Sequence, residues 1–255
     1  MALLRIDGLT HYFGGLCAVR DFNLALEEGE LIGLIGPNGA GKTTVFNLIT
    51  GIYRPTQGSI QFNGHNLVGL QPHQIAAKGI CRTFQTIRLF SNVSVLDNIR
   101  IAFYAQIQAS LFDAFLRTPR LVSEDKTITR EAYRLLEILN LERYANELAV
   151  NLPYGEQKRV EIARALATKP RLLLLDEPAA GMNPGEIDRL MALIHRIRQE
   201  FGLTIFLIEH QMRLVMRICK HIKVMDFGET IAEGAPEEIR TNPRVLQAYL
   251  GEEVE

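Results

Sequence analysis

What this 255-residue chain lacks narrows what it can be. Cysteine is scarce: Cys17, Cys81 and Cys219 stand far apart and are odd in number. No C-x-x-C pair or Cys/His cluster suggests zinc and no disulfide framework is indicated, so reduced thiols packed as small apolar groups are expected. Net charge is almost absent, with Lys+Arg 28 against Asp+Glu 29. Bulk electrostatics therefore give no sign of a nucleic-acid partner. Long hydrophobic runs are missing too, none approaching the roughly 20 residues that a membrane-spanning helix needs. Asp7 comes too early for Met1–Arg5 to open a signal peptide. Any membrane role is expected to pass through a partner. What remains, 47% apolar and 22% charged residues, suits a globular chain able to bury a full core, either one large domain or a domain with an inserted lobe.

Two α/β stretches flank a helical middle. In the first, Leu3–Leu9, Phe22–Leu26 and Ser59–Phe62 read as short strands, set apart by Gly14-Gly15, Glu28-Gly29 and Gly58. Their closeness predicts antiparallel pairing. From about Asn92 to Leu148 the pattern is helical; over Arg130–Leu141, Leu135, Ile138 and Leu139 supply an apolar face. Within it, Leu111–Arg120 reads as an inserted short helix and loop. Leu172–Leu175 and Thr204–Ile208 are then continuous apolar runs, as expected of parallel strands buried on both faces. Between them Ile187, Leu190, Met191, Ile194 and Ile197 recur at helical spacing, completing a β-α-β crossover. With no repeat and no flexible linker, the helical middle is read as an insertion in one nucleotide-binding fold.

The run Gly36-Pro37-Asn38-Gly39-Ala40-Gly41-Lys42-Thr43-Thr44 fits G-x-x-x-x-G-K-[ST]. An apolar run of strand length, Leu31–Ile35, precedes it, and Val45–Ile49 can continue a helix after it. Glycines let the backbone curl so that successive N–H groups face one phosphate, with the positive end of the helix behind them. Lys42 is then expected to reach the terminal phosphates and the Thr43 hydroxyl to ligate Mg²⁺. The expected ligand is a nucleoside triphosphate. Leu172–Leu175 leads into Asp176-Glu177, acids at the end of a parallel strand where α/β sheets bind ligands. Asp176 can hold Mg²⁺ through water, and Glu177 can orient or activate an attacking water.

A third motif, Asn151-Leu152-Pro153-Tyr154-Gly155-Glu156-Gln157, opens a strongly helical stretch just upstream of Asp176. It resembles the LSGGQ signature of ATP-binding cassette (ABC) proteins, in a variant ending Y-G-E-Q. A glycine at a helix start offers N–H donors to an anion. The resemblance covers essentially the whole chain and implies an α/β fold: a P-loop NTPase (RecA-like) core with an antiparallel β subdomain, over 1–84 and 160–255, and an inserted α-helical subdomain, over 85–159. It also implies a catalytic set. Gln85 looks like the Q-loop glutamine that contacts Mg²⁺ and water, and His210 like the switch histidine at the γ-phosphate. Phe13 resembles the aromatic that stacks on adenine, with Tyr12 as the alternative. In the family two cassettes dimerise head to tail, each ATP lying between the phosphate loop of one and the signature loop of the other.

The finer resemblance is to ATP-binding subunits of branched-chain amino acid importers. It rests on Arg82–Gln85 with Arg88-Leu89-Phe90, on Glu177–Pro184, on the tail Ala248–Gly251 and on the inserted Gln106–Lys126. Lipopolysaccharide-export ATPases share a similar tail but generally lack such an insertion, and a soluble ABC ATPase is a further alternative. The importer reading implies integral membrane permease subunits as partners, a second ABC ATPase subunit, and indirectly a periplasmic or extracellular solute-binding protein. It places the chain peripherally at the cytoplasmic face of the cell membrane. The membrane subunit is expected to dock on Gln85–Ile99, where Leu89, Phe90, Val93 and Val95 supply apolar surface. Two residues depart from the family pattern. Pro153 replaces the signature serine, removing a hydroxyl and an N–H. Asn183 replaces the D-loop aspartate, dropping a charge. Both favour a heterodimer with unequal ATP sites, a homodimer remaining open.

Overall fold

The computed structural model describes residues 2–104 and 119–250. The expected insertion at Leu111–Arg120 therefore lies outside the described residues except at its end. In chain order come β1 (Leu4–Phe13), β2 (Leu16–Leu26), β3 (Leu31–Ile35), α1 (Lys42–Ile49), β4 (Gln57–Phe62), β5 (His65–Asn66), α2 (Pro72–Ala77) and β6 (Ile80–Arg82). Next are α3 (Val95–Tyr104), α4 (Pro119–Leu139) and α5 (Tyr154–Ala167). The chain closes with β7 (Leu172–Asp176), α6 (Pro184–Phe201), β8 (Thr204–Ile208), α7 (Met212–Ile218), β9 (His221–Asp226), β10 (Glu229–Gly234), α8 (Pro236–Thr241) and α9 (Pro243–Leu250). These fall into two compact units, Met1–Arg82 with Arg171–Glu255, and Thr83–Pro170.

The first unit holds two sheets. One is antiparallel, in the order β2-β1-β4-β5; the other runs β10-β9-β3-β8-β7-β6, parallel except for β10. Every residue of β3, β7 and β8 is buried, as unbroken apolar runs require when both faces of a strand are covered. The core joins α1 to the strands beneath it, with the Phe46 and Phe206 rings edge to face at 5.1 Å. Residues 83–170 leave after β6 and return before β7, and those two strands are parallel neighbours, Arg82 opposite Leu174.

β1 runs four residues beyond the expected Leu9, to Phe13. Its pairing with β2 shifts register between Ile6 and Leu9 and again before His11 and Tyr12, next to Gly8 at φ +59°. Such bulges break the two-residue alternation by which a strand is recognised. β9 and β10 have no counterpart in the sequence reading. They form a hairpin whose two turn residues, Phe227 and Gly228, both have positive φ. Phenylalanine in the first of those positions hides the turn, and Lys223 interrupts the apolar run. Asn183 caps α6, a role the sequence reading did not give it, its side chain accepting from the Glu186 N–H (3.0 Å) while Glu186 accepts from the Asn183 N–H (2.8 Å). Gly202 at φ +61° ends it.

In the second unit α3, α4 and α5 pack together. The expected apolar face at Leu135, Ile138 and Leu139 is buried, with Leu136 beside it. The helix carrying it is longer than expected, starting at Pro119 rather than Arg130.

Candidate functional site

In the first unit, strand register gathers three loops at one end of the sheet. β3 pairs with β8, Leu34 opposite Ile208, and β8 with β7, Ile208 opposite Asp176. The segments following these strands therefore emerge side by side at the carboxyl ends, where open α/β sheets bind ligands.

The Gly36–Thr44 segment follows β3. Gly36, Gly39 and Gly41 have φ of 150°, 80° and 99°, and Gly41 caps α1 in the left-handed region. Two of them are also forced by contact: a Cβ at Gly36 would meet the Met225 carbonyl oxygen at 2.0 Å, and one at Gly41 the Ala18 carbonyl oxygen at 2.3 Å. Lys42 is buried, its ammonium donating to the Gly36 and Pro37 carbonyl oxygens at 2.6 and 2.7 Å. That sets one positive charge inside the curled loop. Ala40 is buried, whereas Asn38, Gly39 and the Thr43 side chain are exposed and Thr44 partly so.

Asp176 ends β7, 3% exposed, and accepts from Arg82 of β6 at 2.6 Å; the same guanidinium donates to Asn47 of α1 at 2.7 Å. Glu177 follows at φ +45°, unusual for glutamate, its N–H bonded to the Ile208 carbonyl oxygen at 2.9 Å. One Glu177 carboxylate oxygen lies 3.6 Å from His210 Nδ1, and that histidine is largely exposed. The structure thus brings together the phosphate-loop residues, Asp176, Glu177 and His210. Next to His210 in the chain is Glu209, fully buried and, among the described residues, accepting from backbone N–H donors: Ala179 at 2.8 Å, His210 and Gln211 at 3.1 Å each. Burial pushes its carboxyl up, against the pull of those N–H groups. Sequence reasoning missed Glu209 and the Arg82–Asp176 pair, because both depend on strand adjacency that spacing does not encode.

Phe13 and Tyr12, at the end of β1, are each more than 40% exposed. Phe13 packs edge-on against His11 (4.6 Å) and Tyr53 (5.2 Å); Tyr12 takes no part in those ring contacts. Asn183 is exposed, its side chain serving its own helix cap.

Gln85 and the segment Leu152–Glu156 belong to the second unit. Tyr154, Gly155 and Glu156 form the first turn of α5; the Glu156 and Gln157 N–H groups bond the Pro153 carbonyl oxygen at 3.0 Å each, and Pro153 stands at the cap without a side-chain bond. Leu152 is buried, its carbonyl oxygen accepting from Gln157 Nε2 at 2.8 Å, and Glu156 pairs with Arg159 at 3.2 Å. Lys158 of the same helix, 3% exposed, donates to the Phe84 and Gln85 carbonyl oxygens at 2.8 and 2.7 Å and pairs with buried Glu161. Among the described residues, no three His, Cys, Asp or Glu side chains cluster as a metal centre.

A family model described as ABC transporter matches residues 19–180, and one described as branched-chain amino acid ATP-binding cassette transporter matches residues 229–255. The chain is 48% identical over 250 residues to BraF of Pseudomonas aeruginosa, a high-affinity branched-chain amino acid transport ATP-binding protein, covering 98% of each chain. LivG of Escherichia coli, of the same description, gives the same identity and coverage. Among solved structures, an ATP-binding cassette of an ABC transporter in its ADP conformation matches with a TM-score of 0.86 at 30% identity, over 98% of this chain and 99% of that one.

Proposed function

The chain belongs to the ABC transporter family of ATP-binding cassettes, and on that premise we propose that it is the ATP-hydrolysing subunit that energises import of branched-chain amino acids. The observation that carries the enzymatic part is the meeting of Gly36–Thr44, Asp176, Glu177 and His210 at the carboxyl ends of β3, β7 and β8. The solute is supported by the amino-acid transport descriptions of the relatives at 48% identity and of the family model over the tail. Neither the lipopolysaccharide-export nor the soluble alternative has such support.

The reaction is ATP plus water to ADP plus phosphate. The loop N–H groups and the start of α1 receive the phosphates, and Lys42 turns from its loop carbonyls to their terminal oxygens. Glu177 takes the proton of the attacking water, while His210 supports the charge that grows on the γ-phosphate. Phe13 or Tyr12 stacks on adenine. Mg²⁺, when bound, neutralises phosphate charge; the Thr43 hydroxyl, Gln85 and Asp176 are the hard oxygen donors that would hold it. Arg82 already occupies an Asp176 oxygen, which suits contact through water.

The first compact unit is read as the RecA-like core with its antiparallel β subdomain, the second as the helical subdomain bearing the signature. Leu152–Glu156 and Asn183 then complete a second cassette's ATP site, heterodimer favoured because of Pro153. Permease subunits are the membrane partners, and a solute-binding protein acts through them. No described helix is long and apolar enough to cross a membrane. The location we propose, peripheral at the cytoplasmic face, follows from the transporter-subunit reading. Glu177→Gln is expected to cut ATP turnover on the order of a hundredfold or more while ATP binding persists and the ATP-bound dimer accumulates. Turnover at the wild-type rate removes Glu177 from its catalytic role.

A further inference from the structure

We propose that Glu209 is a positioning residue for hydrolysis, tying the loop that carries Glu177 to the loop that carries His210 so that the two side chains keep their separation. It rests on the catalytic reading of that pair given above.

Glu209 leaves β8 at the residue after Ile208, and Ile208 sits opposite Asp176 of β7. Its side chain is 0% exposed. One carboxylate oxygen reaches across to the Ala179 N–H, two residues beyond Glu177, at 2.8 Å. The other accepts from the N–H groups of His210 and Gln211, at 3.1 Å each. Its own N–H meets the Leu34 carbonyl oxygen of β3 at 3.3 Å. A single residue is thereby bonded to the loops that carry Glu177 and His210 and to β3, the strand that leads into the phosphate loop. Each bond fixes backbone and not a reacting group, so the effect on chemistry passes through Glu177 and His210, whose side chains stand 3.6 Å apart.

The residue type follows from the donors. Three N–H groups aimed at one buried side chain require acceptors at both of its ends, which only a carboxylate supplies at this length. Glutamine would turn an NH₂ toward N–H donors at one end, and an apolar residue would leave all three unsatisfied. A buried acid is costly to keep, and the left-handed backbone of Glu177 is costly as well. Their adjacency in a loop pair bonded in this way is what a held geometry looks like, since displacing a reacting group by about 1 Å can cost on the order of a hundredfold in rate.

The test compares the full-length chain with Glu209→Gln and Glu209→Asp, measuring kcat, ATP affinity by titration and the thermal midpoint. For Glu209→Gln, kcat is expected to fall on the order of ten- to a hundredfold, with ATP affinity close to wild type and the midpoint lowered by only a few degrees, roughly what one unsatisfied buried N–H costs. Glu209→Asp, restoring acceptors at both ends, is expected to recover part of the rate. A wild-type kcat in Glu209→Gln overturns the proposal, as does a loss of kcat matched by equal losses of affinity and midpoint, or an aspartate variant no faster than the glutamine one. Glu177→Gln runs alongside. Should it still turn over, the catalytic reading fails; should it be inactive while Glu209→Gln is unimpaired, only the positioning role fails.

Discussion

At Gly41 a side chain has nowhere to go, since a Cβ would stand 2.3 Å from the Ala18 carbonyl oxygen and φ is +99°. At Gly39 φ is +80° but the space is open. Alanine at the two positions therefore separates conformational strain from steric exclusion. Gly39→Ala is expected to cost about 1 kcal/mol; Gly41→Ala more, about 2–3 kcal/mol, with loss of ATP affinity because α1 and Lys42 move. Thermal unfolding and ATP titration check both, and equal midpoints in the two variants contradict the distinction. The glycine spacing was legible because it encodes local backbone geometry. The acids Asp176 and Glu177 were legible because they end an apolar run. The partners that hold them, Arg82 for Asp176 and Glu209 beside His210, come from strands adjacent only in the folded sheet, and no local pattern announces them.

Helix α5 carries a buried ion pair that bears on its neighbours. Lys158 binds the Phe84 and Gln85 carbonyl oxygens and Glu161, while Glu161 accepts the Phe84 N–H at 3.3 Å. Burial raises the Glu161 carboxyl, and Lys158 opposes that rise. Lys158→Met strands the carboxylate in the interior, and a loss of about 3–5 kcal/mol is expected in denaturant unfolding near pH 8. The sign of its pH dependence is set by the raised acid. Stability is full below the ordinary glutamate range, about 4.3, and is lost as pH rises through the raised folded value, so the deficit should shrink toward pH 5. A deficit constant from pH 5 to pH 8 counts against this account. At this scale the buried strands β7 and β8 and the amphipathic α6 were readable, having unbroken runs or clean helical spacing. β1 was half readable, its bulges resetting the alternation, and the β9–β10 hairpin was not, because Phe227 occupies a turn position that usually advertises itself with asparagine or glycine.

For the molecule as a whole, Pro153 is where assembly and stability meet. It caps α5 without a side-chain bond, so Pro153→Ser supplies both a better cap, worth about 0.5–1 kcal/mol, and the missing hydroxyl. The variant is expected to melt higher as an isolated chain and to raise ATP turnover in the assembled transporter; an unchanged turnover argues against unequal sites. The outline of the molecule, an α/β fold with a helical insertion, was visible in the order of its patterns, although the exact junctions depended on contacts. Those junctions carry a design consequence. β6 and β7 are parallel neighbours, and parallel strands cannot be joined by a tight turn; they need a crossover of a dozen or more residues. Residues 83–170 are that crossover. A minimal nucleotide-binding scaffold cannot be made by cutting at 82 and splicing to 171, and would need a substitute helix to carry the chain back to the start of β7.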